Sequence, residues 1–324
     1  MRRREFVGSI GAVLAVSLAP AARAERRVRI RYLVPFTYRG TEAGLNAFRA
    51  ALRELGYEEG RNLEIEIRSP EGRTDRLPAL ADELVALNVD VLVTGGTRAV
   101  LALKRATSSI PIVFTAVGDA VATGVVKSLA RPGGNLTGTT FFIQDLYVKR
   151  LELLREAVPR LREAAVLVDP TNAAIERNIK KMEAAAAAMG IRLHRVEARS
   201  PDEFEGAFAA IDRKGVQAVV VVESPMLTPN VALTAGLAAK SRLPSSGNAQ
   251  FGKAGGMIGY GINYTDSVRR AAYFVDRILR GASPADLPVE QPTRFEVVIN
   301  LKTARALGLS IPQVILLRAD QVIE

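Results

Sequence analysis

The sequence predicts an α/β protein with two Rossmann-like lobes, each a parallel sheet covered by helices, joined by a hinge. Three observations lead to this prediction. Strand-like and helix-like segments alternate along the 324 residues, which is the pattern of parallel sheets with helical crossovers. The same order of segments occurs twice, from residue 28 and again from residue 164. A hydrophobic content of 48% is enough for a core in each lobe.

The first copy of the pattern runs from residue 28 to residue 116. Apolar runs predict its strands, and apolar residues spaced three or four apart predict its helices. The predicted segments are strand 28–35, helix 41–56, strand 63–68, helix 76–87, strand 89–94, helix 97–107 and strand 110–116. A further helix is predicted at 120–129.

The second copy is followed by a tail. Its predicted segments are strand 164–169, helix 172–189, strand 191–196, helix 201–214, strand 216–222, helix 229–242 and strand 244–247, then helix 267–280, strand 295–300 and helix 301–307. Stretches rich in glycine and small polar residues at 134–138 and 255–264 are typical of hinges. We therefore expect lobe 1 at 25–140, lobe 2 at 141–260, and a tail at 261–324 that crosses back between the lobes.

The first 24 residues have the three parts of a secretory signal peptide. Arginines at positions 2–4 precede an apolar run at 7–18, and Ala22-Arg23-Ala24 follows. The apolar run is too short to span a bilayer comfortably. We expect export and cleavage after Ala24.

The route and destination of export follow from nearby residues. Arg3-Arg4-Glu5-Phe6 resembles the twin-arginine signal, and an ordinary Sec signal with a basic start is the alternative. The sequence has no cysteine that could carry a lipid anchor, and no other stretch approaches 18 apolar residues. The mature protein is therefore expected to be a soluble monomer, free in the periplasm.

Composition excludes several kinds of site. There is no cysteine, and His194 is the only histidine, so disulfides, thiolate chemistry and a His/Cys metal site are not expected. His194 alternates with apolar positions and is predicted on the exposed side of a strand. No cofactor is expected, because the glycine spacing at 247–253 is followed by Ala254 where a phosphate loop needs Ser or Thr.

The charge of the chain is distributed, not clustered. Four arginines and one glutamate give residues 1–24 a charge of +3, which leaves +7 of the total of +10 for the rest. These basic residues are spread over many predicted helices, which favours solvated surfaces over a nucleic-acid interface. We expect no nucleic-acid partner.

The candidate site lies in the loops that follow the predicted strands. Such loops share one edge of a parallel sheet, so two lobes would place two sets of loops around one cleft. In lobe 1 the candidate ligand-binding residues are Pro35, Phe36, Thr37, Tyr38, Thr94, Gly95, Gly96, Thr97, Val117, Gly118 and Asp119. In lobe 2 they are Asp169, Thr171, Asn172, Glu223, Ser224, Met226, Asn248, Gln250, Phe251 and Tyr260.

The chemistry of these loops suits a small polar molecule such as a zwitterion. Thr94-Gly95-Gly96-Thr97 opens a helix whose free N–H groups would hold a carboxylate, or it is a plain turn with a cap. Asp119 would receive an ammonium group, or would only cap the helix predicted at 120–129. Phe36 and Tyr38 would pack on an apolar ligand body.

Several longer runs resemble a known family. They are Arg-Arg-Arg-Glu-Phe at 2–6, Leu-Gly-Tyr-Glu-Glu-Gly-Arg-Asn at 55–62, Ala-Arg-Pro-Gly-Gly-Asn-Leu-Thr-Gly at 130–138, the run at 291–304 that begins Gln-Pro-Thr-Arg-Phe, and Arg-Ala-Asp-Gln-Val-Ile-Glu at 318–324. With these runs the sequence resembles the ABC-transporter substrate-binding family that includes tryptophan/tyrosine-type periplasmic binding proteins. The resemblance implies a type I periplasmic-binding fold that closes on a small-molecule ligand. It also implies delivery to an inner-membrane permease with a cytoplasmic ATPase, and an amino acid as the ligand, which in some relatives is an aromatic one.

Three other functions are alternatives to binding for transport. An exported α/β enzyme would use Asp119 with Asp169 or Glu223 across the cleft. A regulator related to sugar repressors would need a DNA-binding module in the residues that the leader occupies. A ligand sensor with no transport role would have the same cleft and stays open.

Overall fold

The computed structural model describes residues 27–35, 37, 42–172, 175–224, 226–292 and 294–324. The leader predicted at 1–24 lies outside these residues, as do Phe36 and Tyr38 of the candidate site. Within the described residues the chain forms two sheets covered by helices, as predicted.

The first sheet has five parallel strands in the order β2-β1-β3-β4-β5. The strands are β1 Val28–Leu33, β2 Leu63–Arg68, β3 Val91–Gly95, β4 Ile112–Gly118 and β5 Leu136–Phe141. The helices between them are α1 Glu42–Glu54, α2 Leu77–Ala86 and α3 Thr97–Ala106. The central strand β3 is buried along its whole length, as its continuous apolar run predicts.

The second sheet has seven strands in the order β12-β11-β10-β9-β8-β6-β7, and β10 and β11 are antiparallel. The strands are β6 Glu163–Val168, β7 Arg192–Glu197, β8 Ala218–Val221, β9 Ser245–Gly247, β10 Ile258–Ile262, β11 Phe295–Asn300 and β12 Gln321–Ile323. The helices are α4 Ile143–Ala157, α5 Ile175–Ala188, α6 Phe204–Arg213, α7 Val231–Lys240, α8 Ala249–Lys253, α9 Tyr264–Leu279, α10 Leu301–Ala306 and α11 Gln313–Leu316. Single 3₁₀ turns precede α2, α6 and α7, and another lies at Pro284–Asp286.

The chain passes between the sheets more than once. It leaves β5 through Phe142 and enters α4, which packs against the second sheet. After β10 it returns as α9, which packs against α1 and β4 of the first sheet. The segment after α9 follows β5, where the amide of Thr140 donates to the Glu290 carbonyl at 2.9 Å, before the chain enters β11.

A small apolar cluster, here called the crossing cluster, lies where the sheets meet. Phe141, Leu146 and Ile262 are its buried members, and Ala116, Ile143 and Tyr260 pack against it. It therefore combines the ends of β4, β5 and β10 with the start of α4. Because its members come from both sheets, the crossing cluster packs the two sheets together at the base of the space between them.

Two glycine-rich stretches form strands where the sequence suggested hinges. Residues 134–138 lead into β5, and the stretch 255–264 contains β10. Glycine in these stretches allows close packing: a Cβ at Gly259 would lie 2.9 Å from the carbonyl oxygen of Ala249. The helix predicted at 120–129 is wrong, since this segment forms turns. Gly124 has a φ of 72°, which no right-handed helix allows.

Candidate functional site

Two sets of strand-end loops face each other across a cleft. The carboxyl ends of β1, β3 and β4 share one edge of the first sheet, and those of β6, β8 and β9 share one edge of the second. Arg98, in the first turn of α3, donates from Nη2 to the carbonyl of Thr171 after β6 at 3.3 Å. Its Nη1 donates to the hydroxyl of Thr74 at 3.3 Å. One side chain thus joins the two sides of the cleft.

In the turn between β3 and α3, a hydrogen bond holds the end of the strand in place, and no side chain among the described residues caps the start of the helix. The buried hydroxyl of Thr94 donates to the Leu33 carbonyl at 2.7 Å, which ties β3 to β1. A Cβ at Gly95 would lie 2.9 Å from the hydroxyl of Thr115, so the chain fits here only without a side chain. Gly96 has a φ of 68° and precedes α3, and no side chain among the described residues caps this helix. The first N–H groups of α3, from the half-buried Thr97 onward, are therefore open to an acceptor in the cleft.

A β-bulge directs the end of β4 toward the cleft. Phe114 pairs with Gly138 and Val117 with Thr140, so β4 has one extra residue in this interval. Ala116, within the bulge, has a φ of 50° and donates its amide to the Thr139 hydroxyl at 3.2 Å. The bulge therefore sets the position of Val117, Gly118 and Asp119.

Among these last three residues, Asp119 offers a polar side chain. It has a φ of 43°, and its Oδ1 accepts from the amide of Ala122 at 3.0 Å, which makes a turn where a helix cap was one expectation. Its own amide donates to the Phe141 carbonyl at 2.9 Å. Gly118 is half-buried, and the side chain of Val117 has no exposed surface and belongs to the core.

The loop after β6 is organised by Asp169. This buried carboxylate accepts from the amide of Thr171 at 2.9 Å and from its hydroxyl at 2.6 Å. The turn exposes Thr171, whose carbonyl receives Arg98, and leaves Asn172 half-buried beside it. Asp169 therefore holds the second side of the cleft in place through Thr171.

The loop after β8 carries Glu223 and Ser224. Both oxygens of the Glu223 carboxylate accept from Arg150 of α4, at 2.5 and 2.6 Å. The buried hydroxyl of Ser224 accepts from the amides of Met226 and Leu227, at 3.1 and 2.9 Å. Met226 is half-buried and packs on the core. The structure thus gives Glu223 a protein partner that sequence reasoning had not found.

The loop after β9 differs from expectation at Phe251. Asn248 caps α8 by accepting from the amide of Phe251 at 2.9 Å, and Gln250 is exposed. The ring of Phe251 has no exposed surface and lies in the core. A Cβ at Gly247 would lie 2.6 Å from that ring, so the glycine makes room for it. Phe251 is a core residue and not part of the cleft surface.

Tyr260 lies at the base of the cleft. Its ring stacks on Phe295 with centroids 5.8 Å apart, and it packs against the crossing cluster. Burial is the largest cause of its raised pKa, so the phenol stays protonated at neutral pH. The half-buried Pro35 and Thr37 complete the candidate residues on the first side.

The single histidine lies away from the strand-end loops. His194 is half-buried on the edge strand β7, where its Nε2 contacts the carboxylate of Glu163. That hydrogen bond is the largest cause of the lowered pKa of Glu163. The pair links β7 to β6 and makes no contact with the cleft residues.

Comparison with known proteins identifies the family. A family model described as ABC transporter substrate binding protein matches residues 32–323. The chain belongs to this family. A tyrosine-binding protein from Clostridioides difficile is 24% identical to this substrate-binding protein over 263 residues, which is 81% of this chain and 75% of that protein.

Solved structures have the same fold as this substrate-binding protein. A conserved domain protein from Vibrio cholerae superposes with a TM-score of 0.84 at 28% identity, covering 92% of this chain and 100% of that chain. An ABC domain from Streptococcus pneumonia in complex with L-Trp has a TM-score of 0.84 at 24% identity, with the same coverage of both chains. The two parallel-dominated sheets are those of a type I periplasmic-binding protein, as the sequence predicted.

Sequence reasoning missed two arginines of this substrate-binding protein. The sequence contained one signal for Arg98, which is its position as a cation directly after the Gly-Gly-Thr turn. Arg150 gave a clearer one, because it lies on the apolar stripe of α4 between Tyr147 and Leu154. In the described part of the chain, no helix is both long enough and apolar enough to cross a membrane.

Proposed function

We propose that this protein is the periplasmic substrate-binding component of an ABC importer, and that it binds an amino acid between two lobes without chemical change. The observation that carries this proposal is the hydrogen bond from Arg98 to Thr171, which joins strand-end loops on opposite sides of one cleft. Such a contact suits a protein whose lobes close over a ligand. Residues 25–140 with the returning α9 would form one lobe, and 141–260 with the last strands the other.

The comparisons support an aromatic amino acid as the ligand. One relative is named for tyrosine, and one solved relative contains L-Trp. In this chain the uncapped start of α3, with Arg98 beside it, would receive the carboxylate. Asp119 would receive the ammonium group, and Tyr260 at the base would contact the aromatic ring. These roles together describe one orientation of the ligand.

A ligand screen tests this function. Mature protein is heated with L-tryptophan, L-tyrosine, other amino acids, nucleosides and sugars, and unfolding is followed by fluorescence. A ligand at about a hundredfold excess over its Kd stabilises the fold by about 2.7 kcal/mol, so we expect a clear rise of Tm with an aromatic amino acid. A rise with sugars alone would contradict the proposed ligand class, and release of an altered ligand would make the protein an enzyme.

Arg98→Ala is expected to raise the Kd for the amino acid by about tenfold, because a charge-assisted hydrogen bond at the cleft is lost. Isothermal titration calorimetry measures the change. Arg105→Ala is the matched control, since Arg105 is an exposed arginine in the last turn of the same helix. Equal affinity of the Arg98 variant and the wild type would remove Arg98 from the binding function.

The proposed location depends on the leader. We propose that residues 1–24 direct export and that cleavage after Ala24 leaves a soluble monomer in the periplasm, where it meets its permease and ATPase. The mass of protein from the periplasmic fraction tests the cleavage site. Recovery of the uncleaved chain in the cytoplasm would contradict this location.

A further inference from the structure

The core of the second sheet contains a fully buried arginine. Arg150 lies on the face of α4 that packs on this sheet, beside the buried Leu151 and Leu154, and has 0% exposure. An arginine side chain keeps its charge inside a protein. Burial of such a charge is costly unless it is paired and hydrogen-bonded. The partners of Arg150 therefore decide whether the position is stable.

Each nitrogen of the Arg150 guanidinium donates to an acceptor. Nη1 and Nη2 donate to the two carboxylate oxygens of Glu223 at 2.6 and 2.5 Å, in a two-pronged arrangement. Nε donates to the carbonyl of Tyr260 at 2.8 Å. The Glu223 side chain is 10% exposed, so it separates the guanidinium from the cleft.

The position of this pair follows from the shortness of β9. This strand has three residues, and it pairs with β10 only through Ser246 and Gly247. Tyr260 lies beyond the end of that pairing, and Glu223 lies just beyond the end of β8. The guanidinium therefore connects β8 to β10 across the end of the short strand between them. Gly261 keeps this space open, since a Cβ there would lie 3.4 Å from Nη2.

The same contacts fix the loops that form the second side of the cleft. The hydroxyl of Tyr147, one turn before Arg150 on α4, donates to the carbonyl of Glu223 at 3.4 Å. Ser224 then holds the next two amides that follow Pro225, as described above. The loop after β8 is thus attached to α4 by both the side chain and the main chain of Glu223.

We propose that Arg150 and Glu223 are a positioning pair that builds the floor of the ligand cleft. Glu223 then supports the loop after β8 and the backbone at Tyr260, and it is not the partner of the ligand's ammonium group, because its negative charge is already balanced by the buried charge of Arg150. This inference rests on the proposed function for its ligand. It assigns the ammonium group to the first side of the cleft, at Asp119.

The test replaces the whole pair with apolar residues of similar length. The double variant Arg150→Met/Glu223→Leu removes both charges together, which buried pairs often tolerate without loss of folding. Affinity is measured for L-tyrosine and for 3-(4-hydroxyphenyl)propionate, which lacks the ammonium group. We expect the Kd of both to rise by a similar factor of about tenfold, because positioning acts on the whole ligand. Lys149→Met/Glu152→Leu, a partly exposed pair on the same helix, is the control and should bind as the wild type does.

Two binding results would overturn the inference. Unchanged affinity for both ligands would show that the pair positions nothing. A loss confined to L-tyrosine would make Glu223 a direct partner of the ammonium group.

Amide hydrogen exchange on the ligand-free protein decides the question even if the wild type binds neither compound. We expect amides at 223–227 and 260–262 to exchange about tenfold faster in the double variant, while those of β6 keep their rates. Unchanged exchange in both segments would overturn the positioning role. Failure of the ligand screen alone would count only against the proposed function.

Discussion

Gly138→Ala is expected to lower the free energy of unfolding by about 4 kcal/mol or more, which is a loss that only severe defects such as a backbone clash cause. A Cβ at Gly138 would overlap the carbonyl oxygen of Phe114 and would lie 2.7 Å from the carbonyl carbon. These are backbone atoms of the neighbouring strand β4, so no side-chain rotation relieves the contact. Urea unfolding followed by circular dichroism measures the change as a lower transition midpoint.

The control for this prediction is Gly134→Ala. Gly134 also has a positive φ, of 74°, but a Cβ there would have no neighbour within 4 Å. Its cost is therefore only that of placing alanine in the left-handed region, about 1 kcal/mol. Equal losses at the two positions would mean that the approach of β5 to the β4 bulge is not what requires Gly138.

Strand β5, which contains Gly138, was not predicted from the sequence. The strand reads Leu-Thr-Gly-Thr-Thr-Phe, with neither an apolar run nor a clean alternation, yet every residue of it is buried. Its threonines find partners in other segments: the hydroxyl of Thr137 donates to the Leu287 carbonyl at 2.8 Å, and that of Thr140 to the Val117 carbonyl at 2.8 Å. Polar side chains with such partners can be buried, and periodicity cannot show which partners a distant segment supplies.

Most of the other strands could be predicted because their signal is local, whereas β10 and β12 were not predicted. Strand 63–68 has the predicted bounds, and β3 and β6 are the continuous apolar runs expected of strands covered on both faces. The order of strands and helices then determines which loops share an edge, which is why the sequence predicts a cleft between the two sets of strand-end loops. The sequence was sufficient to recognise the family.

The roles of individual cleft residues needed the structure. Glu223 was singled out as a free carboxylate, but its partner Arg150 is 73 positions away in the sequence and belongs to α4, which was not predicted. Phe251 follows Asn248 in a loop, but its ring turns into the core. Strand-end position indicates that a residue is near the cleft. Its chemistry depends on contacts between distant segments, which no local pattern contains.

Glu223→Leu alone is expected to lower the free energy of unfolding by about 3–5 kcal/mol. The substitution leaves the guanidinium of Arg150 buried without a counter-charge, and arginine cannot lose its proton to escape this cost. The double variant Arg150→Met/Glu223→Leu removes both charges, so it should unfold within about 1 kcal/mol of the wild type even though it lacks more native contacts. Urea midpoints of the three proteins measure this order.

An exposed ion pair is the control for how much of the stability lost in Glu223→Leu comes from burial. Arg73 and Asp75 form a salt bridge at 3.0 Å with side chains 70% and 68% exposed, so Asp75→Ala should leave the urea midpoint almost unchanged. If Glu223→Leu destabilised the protein as little as this control does, water would have to reach Arg150. The guanidinium would then not be buried as it is in the structure. If instead the double variant were as unstable as the single one, the loss would lie in packing and not in the unpaired charge. The predicted order, with only the single variant strongly destabilised, requires a dry ion pair between α4 and the loop after β8.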